Sequence, residues 1–152
     1  MGEFLALTPG AGKSSSIAPK TQSGEIERQE GVRILVVEDD FLIAMQTEGA
    51  LSEAGYHVVG SAATAEEAIA LARSQQPALA VMDIRLASKR DGIDAAKELF
   101  EELAIRCIFA TAHDDALTRE RAKPYAPLGW LAKPYSMASL VALVADSLSQ
   151  LD

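Results

Sequence analysis

The chain has 152 residues, 49% of them hydrophobic, which suits one ordinary domain with or without a tail and excludes wholesale disorder. Its 14 basic and 22 acidic residues leave a formal net charge of -8, which argues against a broad nucleic-acid or anionic-membrane surface. The single cysteine, Cys107, excludes an internal disulfide and a multi-cysteine metal site. Without a signal peptide or a run near the ~18 apolar residues of a membrane span, the expected location is the cytoplasm.

Residues 1–31 differ in texture from the rest. Pro9, Gly10, Gly12, Ser14, Ser15, Ser16, Pro19, Ser23 and Gly24 crowd a stretch with few large apolar side chains. Such a segment buries too little surface to offset chain entropy and reads as a flexible, disordered arm. Gly12-Lys13-Ser14 imitates a phosphate-binding loop, but that loop needs glycine where Leu7 stands and a preceding strand.

From Val32 onward, strand-like and helix-like segments alternate. Val32 to Val37 is a β-branched run closed by Glu38-Asp39-Asp40, and residues 41–54 read as a helix ending near Gly55. Tyr56 to Val59 reads as a second strand. Thr64-Ala65-Glu66-Glu67 is a capping box that opens a second helix, whose inner face is Ala65, Ala68, Ile69 and Ala72. Pro77 precedes the strand Ala78 to Met82. After Asp83 and a polar loop, Ile93, Ala96, Phe100 and Leu103 mark a third helix by their spacing.

Arg106 to Ala110 is a fourth strand. Pro124 and Pro127 confine the next helix to roughly residues 115–123. Gly129 to Ala132 is a fifth strand, and Ser136 caps a last helix carrying Leu140, Val144 and Leu148. Five strands alternating with five helices predict an α/β fold, a doubly wound parallel sheet with helices on both faces. In such sheets the site lies at the carboxyl ends of the strands.

Those ends carry Glu38-Asp39-Asp40, Asp83, Thr111 and Lys133-Pro134. An acidic surface run would explain the first group alone, but not a lone Asp83 directly after Leu79-Ala80-Val81-Met82. Two carboxylates about 4 Å apart repel by roughly 4 kcal/mol at an effective dielectric of 20, so a cluster of three calls for a cation. Oxygen ligands without a His or Cys cluster favour a hard ion such as Mg²⁺. Lys133 and the Thr111 hydroxyl suit phosphoryl oxygens. Carboxylate nucleophile, Mg²⁺, lysine and hydroxyl together form a phosphoryl-transfer site.

Here the segment from about Val32 to Leu151 resembles a two-component response-regulator receiver domain. The resemblance rests on Val36-Val37-Glu38-Asp39-Asp40, Met82-Asp83-Ile84, Phe109-Ala110-Thr111-Ala112 and Lys133-Pro134, with separations of 44 from Asp39 to Asp83, 28 to Thr111 and 22 to Lys133. It implies a flavodoxin-like strand order 2-1-3-4-5 and a receiver domain over residues 32–152.

The resemblance further implies Asp83 as phosphoacceptor, with Asp39 as main metal ligand and Glu38 acting mostly through a water of the Mg²⁺ shell. The backbone carbonyl of Arg85 would complete the protein's share of that shell. Thr111 and the amide of Ala112 would hold phosphoryl oxygens, Lys133 would bridge to Asp83, and Lys133-Pro134 would be cis. Partners would be a histidine kinase or histidine phosphotransfer protein and a downstream protein target, with no nucleic acid or membrane. Signalling by protein–protein contact is expected because Asp152 follows the fifth helix directly; the domain would assist its own phosphotransfer and hydrolysis without being an enzyme.

Three features depart from the commonest receiver pattern. The loop Arg85 to Gly92 is one residue longer, with Ala87 where proline is frequent; Trp130 stands where a switch tyrosine or phenylalanine is usual. The fourth helix is short, which weakens the case for a homodimer through helix 4, strand 5 and helix 5. The first and third features are similar to receivers partnered with alphaproteobacterial kinases. By strand alternation Trp130 should face away from Lys133, beside the site's scaffold. His113 either borders the site or is a solvated loop residue, Cys107 reads as core, and His57 as surface.

Two rivals share parts of this chemistry. A haloacid-dehalogenase-type phosphatase needs a second aspartate where Arg85 stands. A flavodoxin-like flavin binder needs a hydroxyl-rich phosphate loop where Glu38-Asp39-Asp40 would repel phosphate. A receiver acting as an unphosphorylated binding module stays open at this point.

Overall fold

The computed structural model describes residues 31–151, so the arm expected over residues 1–31 lies almost wholly outside the described residues. Among the described residues five strands and five helices alternate: β1 (Arg33–Val37), α1 (Phe41–Glu53), β2 (His57–Ala62), α2 (Ala65–Gln75), β3 (Leu79–Asp83), α3 (Gly92–Leu103), β4 (Arg106–Thr111), α4 (Ala116–Ala122), β5 (Gly129–Ala132) and α5 (Met137–Leu151). All pairings are parallel and the order is β2-β1-β3-β4-β5. This is the doubly wound architecture, with β1 reversing the direction of winding.

Alternation along the central strands divides the interior in two. Leu35, Val37, Ala80, Met82, Cys107 and Phe109 face the side covered by α2, α3 and Ala122 of α4. Ile34, Val36, Leu79, Val81, Ile108 and Ala110 face the side where Leu51 of α1 and Leu140 and Val144 of α5 pack. The middle strands are covered on both faces, hence their near-continuous apolar runs. Burying one of the larger of these side chains, such as Leu35 or Phe109, contributes about 1.5–3 kcal/mol, so the central strands form a stiff base for the residues at their ends.

Local signals place most helix ends. Thr64 caps α2 by accepting from the Glu67 amide, but the Glu67 carboxylate reaches the Ala63 N–H rather than that of Thr64. Asp91 and Asp94 form a full reciprocal capping box at α3. Several expected boundaries shift. Strand β2 runs to Ala62, held beside β1 along Leu35–Val37 past an irregularity in the register. In α3 Ala95 and Leu99 are fully buried, while Phe100 is only partly buried. After Ala122, Lys123–Tyr125 form a single 3₁₀ turn that carries Pro124.

Candidate functional site

The carboxyl ends of β1, β3, β4 and β5 meet in an open crevice of about 490 Å³. Glu38, Asp39, Asp83, Arg85, Thr111, Ala112, His113 and Lys133 all line it, joined by Asp40, Ile43, Ile84, Asp115 and Thr118. Residues up to 95 positions apart in the chain are in contact there. Strand register explains the convergence: Val37 lies beside Met82, Asp83 beside Ala110, and Thr111 beside Ala132.

Three carboxylates crowd one corner. Oxygens from Glu38, Asp39 and Asp83 all lie within 4.8 Å of one another. Glu38 and Asp83 are only 6% and 5% exposed, so water screens them poorly, whereas Asp39 opens to solvent. Asp40 is turned elsewhere: its carboxylate accepts from the Leu42 and Ile43 amides and caps α1. The remaining oxygens form an all-oxygen donor set suited to a hard divalent ion.

Lys133 supplies one positive charge to this corner. Its Nζ donates to Glu38 Oε1 at 3.0 Å and to Asp83 Oδ2 at 3.1 Å. Burial opposes the ammonium charge, but the contacts with Glu38 and Asp83 outweigh it and hold Lys133 above the ordinary lysine range. Burial also pushes the Glu38 carboxyl up; the Asp40 amide and Lys133 pull the other way, and the neighbouring Asp83 adds to the rise. One lysine against three carboxylates leaves a negative excess, and a divalent cation fits that excess.

The Lys133-Pro134 peptide is cis. The Thr111 hydroxyl is engaged locally: it accepts from the His113 N–H at 3.1 Å and donates to the His113 carbonyl at 3.0 Å. Ala112 and His113 are exposed at the crevice rim. Trp130 is half-buried on the α2–α3 side, stacked on Phe109 at 5.1 Å, and is not among the crevice-lining residues. Arg119 lies over its ring at 4.7 Å and pairs in a fork with Asp114.

Several contributors escape the sequence reading. Asp115 caps α4 through the Thr118 amide, and both residues line the crevice. Ser88 pins the β3–α3 loop by accepting from Ala65 N–H and donating to the Arg90 carbonyl. Gly92 packs so closely that a Cβ there would overlap the Asp83 carbonyl oxygen. Asp91-x-x-Asp94 and Asp115-x-x-Thr118 carry cap spacing that was readable; the Ser88 contact spans 23 residues and carried no local signal.

Fold and crevice together define a receiver. Residues 34–145 match the profile of the response regulator receiver domain, and the chain belongs to that family. It is 35% identical over 118 residues to the transcriptional regulatory protein PdtaR of Mycobacterium tuberculosis, covering 78% of this chain and 57% of that protein. It is also 35% identical over 126 residues to the phyllosphere-induced regulator PhyR of Methylorubrum extorquens, covering 82% of this chain and 46% of that one. The signal receiver domain of a modulated diguanylate cyclase from Desulfovibrio desulfuricans superposes with a TM-score of 0.72 at 33% identity, over 78% of this chain and 94% of that domain. The chain thus spans about half the length of the curated relatives it matches. Membership places it among the phosphoacceptor modules of two-component signalling. No helix among the described residues is long and apolar enough to cross a membrane.

Proposed function

We propose that Asp83 is the phosphoacceptor of a Mg²⁺-dependent phosphorelay, within a receiver domain spanning residues 32–152. The observation that carries this reading is the shared contact of Lys133 with Glu38 and Asp83 inside a cluster of three carboxylates. An Asp83 carboxylate oxygen attacks the phosphorus of a phosphohistidine on a histidine kinase or histidine phosphotransfer protein. The O–P bond forms as the P–N bond breaks, and the imidazole departs with the electron pair.

Glu38, Asp39, Asp83 and the Arg85 carbonyl would hold Mg²⁺, whose charge offsets that of the transferring group. Lys133 then exchanges part of its carboxylate contact for a phosphoryl oxygen. The Thr111 hydroxyl gives up its bonds to the His113 backbone to donate to another, and the Ala112 amide serves a third. With reactants positioned and charge neutralised, little further chemistry is asked of the protein. The phosphodonor would seat on the exposed Phe41, Leu42 and Met45 at the start of α1, beside the crevice-lining Asp40 and Ile43. The phosphorylated domain would signal by contact with a downstream protein, in the cytoplasm.

The test is intact mass after incubation with Mg²⁺ and a small acyl phosphate. A gain of one phosphoryl mass, absent in Asp83→Asn, is expected. No gain with acyl phosphate or with a phosphorylated kinase would instead favour an unphosphorylated binding module.

A further inference from the structure

The β3–α3 loop carries the Arg85 carbonyl and closes on itself where the Gly92 N–H donates to the Ile84 carbonyl at 2.6 Å. Its middle is tied down by Ala87 N–H to the Ala63 carbonyl and by Ser88 to the start of α2. Its far end is gripped from α4, an element outside the loop's own neighbourhood in sequence. Arg121 donates to both carboxylate oxygens of Asp91, at 2.8 and 3.2 Å, and lies 3.5 Å from Asp94 Oδ1. Asp91 is at the same time the cap of α3 and the residue before Gly92, which rests against the Asp83 carbonyl.

Arg121 is therefore linked to the site through Asp91, Gly92 and the Asp83 backbone. Burial alone would raise the Asp91 carboxyl, but the guanidinium and the Asp94 amide outweigh it and hold the group below its ordinary range. The Arg121 side chain is 49% exposed, and pairs that open to water contribute little to global stability. A planar bidentate fork does, however, restrict orientation.

We propose that Arg121 is a positioning residue: its fork on Asp91 sets the β3–α3 loop, and with it the Arg85 carbonyl and Asp83, for divalent cation binding. This rests on the reading that the carboxylate cluster holds such a cation. It also ties the placement of α4 to the metal side of the crevice.

The test compares Mg²⁺ affinity by calorimetry in the full chain for wild type, Arg121→Ala, Asp91→Asn and the double variant. Asparagine caps a helix as well as aspartate does, so Asp91→Asn spares α3 and weakens only the ion pair. Each single variant should bind Mg²⁺ about threefold to tenfold more weakly, at or below the low end for groups that orient a metal ligand. The double variant should add nothing further, because both changes remove one interaction. Arg121→Lys should recover only part of the loss. Phosphorylation by a small acyl phosphate should slow at low Mg²⁺ and return to within about twofold of wild type at saturation, as a positional role requires.

Single variants that bind Mg²⁺ like wild type, or losses that add in the double variant, would overturn the proposal. A wild-type protein that binds Mg²⁺ but gains no phosphoryl mass would sink the phosphoacceptor reading alone, and the affinities would still decide on Arg121. A wild type that binds no Mg²⁺ would overturn both.

Discussion

The Lys133 ammonium lies 3.0 Å from Glu38 Oε1, and the same nitrogen lies 3.1 Å from Asp83 Oδ2. It is the counter-charge of two carboxylates that have almost no contact with water. Removing it should leave them facing each other unpaired. Lys133→Met is expected to lose about 3 kcal/mol in chelator near neutral pH, the low end for breaking a buried pair from one side, because the lysine keeps some contact with water. Because the folded-state pKa of Lys133 is raised, its contribution is complete below the ordinary lysine value and fades as pH rises through the folded one. Toward acid, Glu38 takes up a proton early and the difference from wild type should shrink. Urea unfolding at about pH 4 and about pH 8 separates the two regimes; an equal loss at both would refute the electrostatic account.

Cys107 gives a second pH signature. Burial pushes its thiol up to about 12, from an ordinary value of 9.0. The folded state therefore keeps a proton that the unfolded chain releases. The thiol's own contribution should be nil below about pH 9 and should lower stability by about 1.4 kcal/mol per pH unit above it, until the folded thiol itself ionises. Cys107→Ala should show a slope shallower by that amount. At neutral pH a thiol reagent should label the native protein no faster than the protein unfolds.

Two glycines should respond in opposite directions to alanine. At Gly92 a Cβ would overlap the Asp83 carbonyl oxygen and lie 2.9 Å from the Ile84 Cα. Gly92→Ala should cost about 1–3 kcal/mol and slow phosphorylation, because the added carbon displaces the Asp83 backbone. Gly49, inside α1, has nothing within 4 Å of a Cβ position. Gly49→Ala should gain about 0.5–1 kcal/mol with the phosphorylation rate unchanged. Thermal unfolding and intact mass read both.

Trp130 is the chain's one tryptophan, and its ring stacks on Phe109 and also meets the Arg119 guanidinium. Arg119 is tied to Asp114, in the segment that the Thr111 hydroxyl braces through His113. If Thr111 turns to a phosphoryl oxygen, that brace loosens and the indole environment should change. Emission is expected to shift when Asp83 is phosphorylated and to shift less in Thr111→Ala. An unchanged spectrum at full phosphorylation would leave Trp130 as packing alone.

The strand pattern was legible because a strand covered on both faces needs apolar residues at successive positions, as in Val36-Val37 and Ala80-Val81-Met82. The Thr64 cap and the inner face of α2 were equally plain, since both depend on residues within one or two turns. Asp39, Asp83, Thr111 and Lys133 could be picked out as a set because the parallel topology sends every strand end to the same edge. Even Trp130 facing away from the crevice follows from counting alternate residues in β5.

Folding alone decided which charge meets which. Nothing near Lys133 in the chain names Glu38 as its partner, nothing near Asp91 names Arg121, and Ser88 meets the start of α2 only because loop and helix share a layer. It also settled that Asp40 caps α1 while its neighbour Glu38 is buried beside Lys133, a division invisible in three consecutive acids. Local patterns register the periodic demands of a helix or strand on its own side chains. Contacts between elements depend on strand register and on how helices lie across the sheet, and those are set by the packing of the whole core.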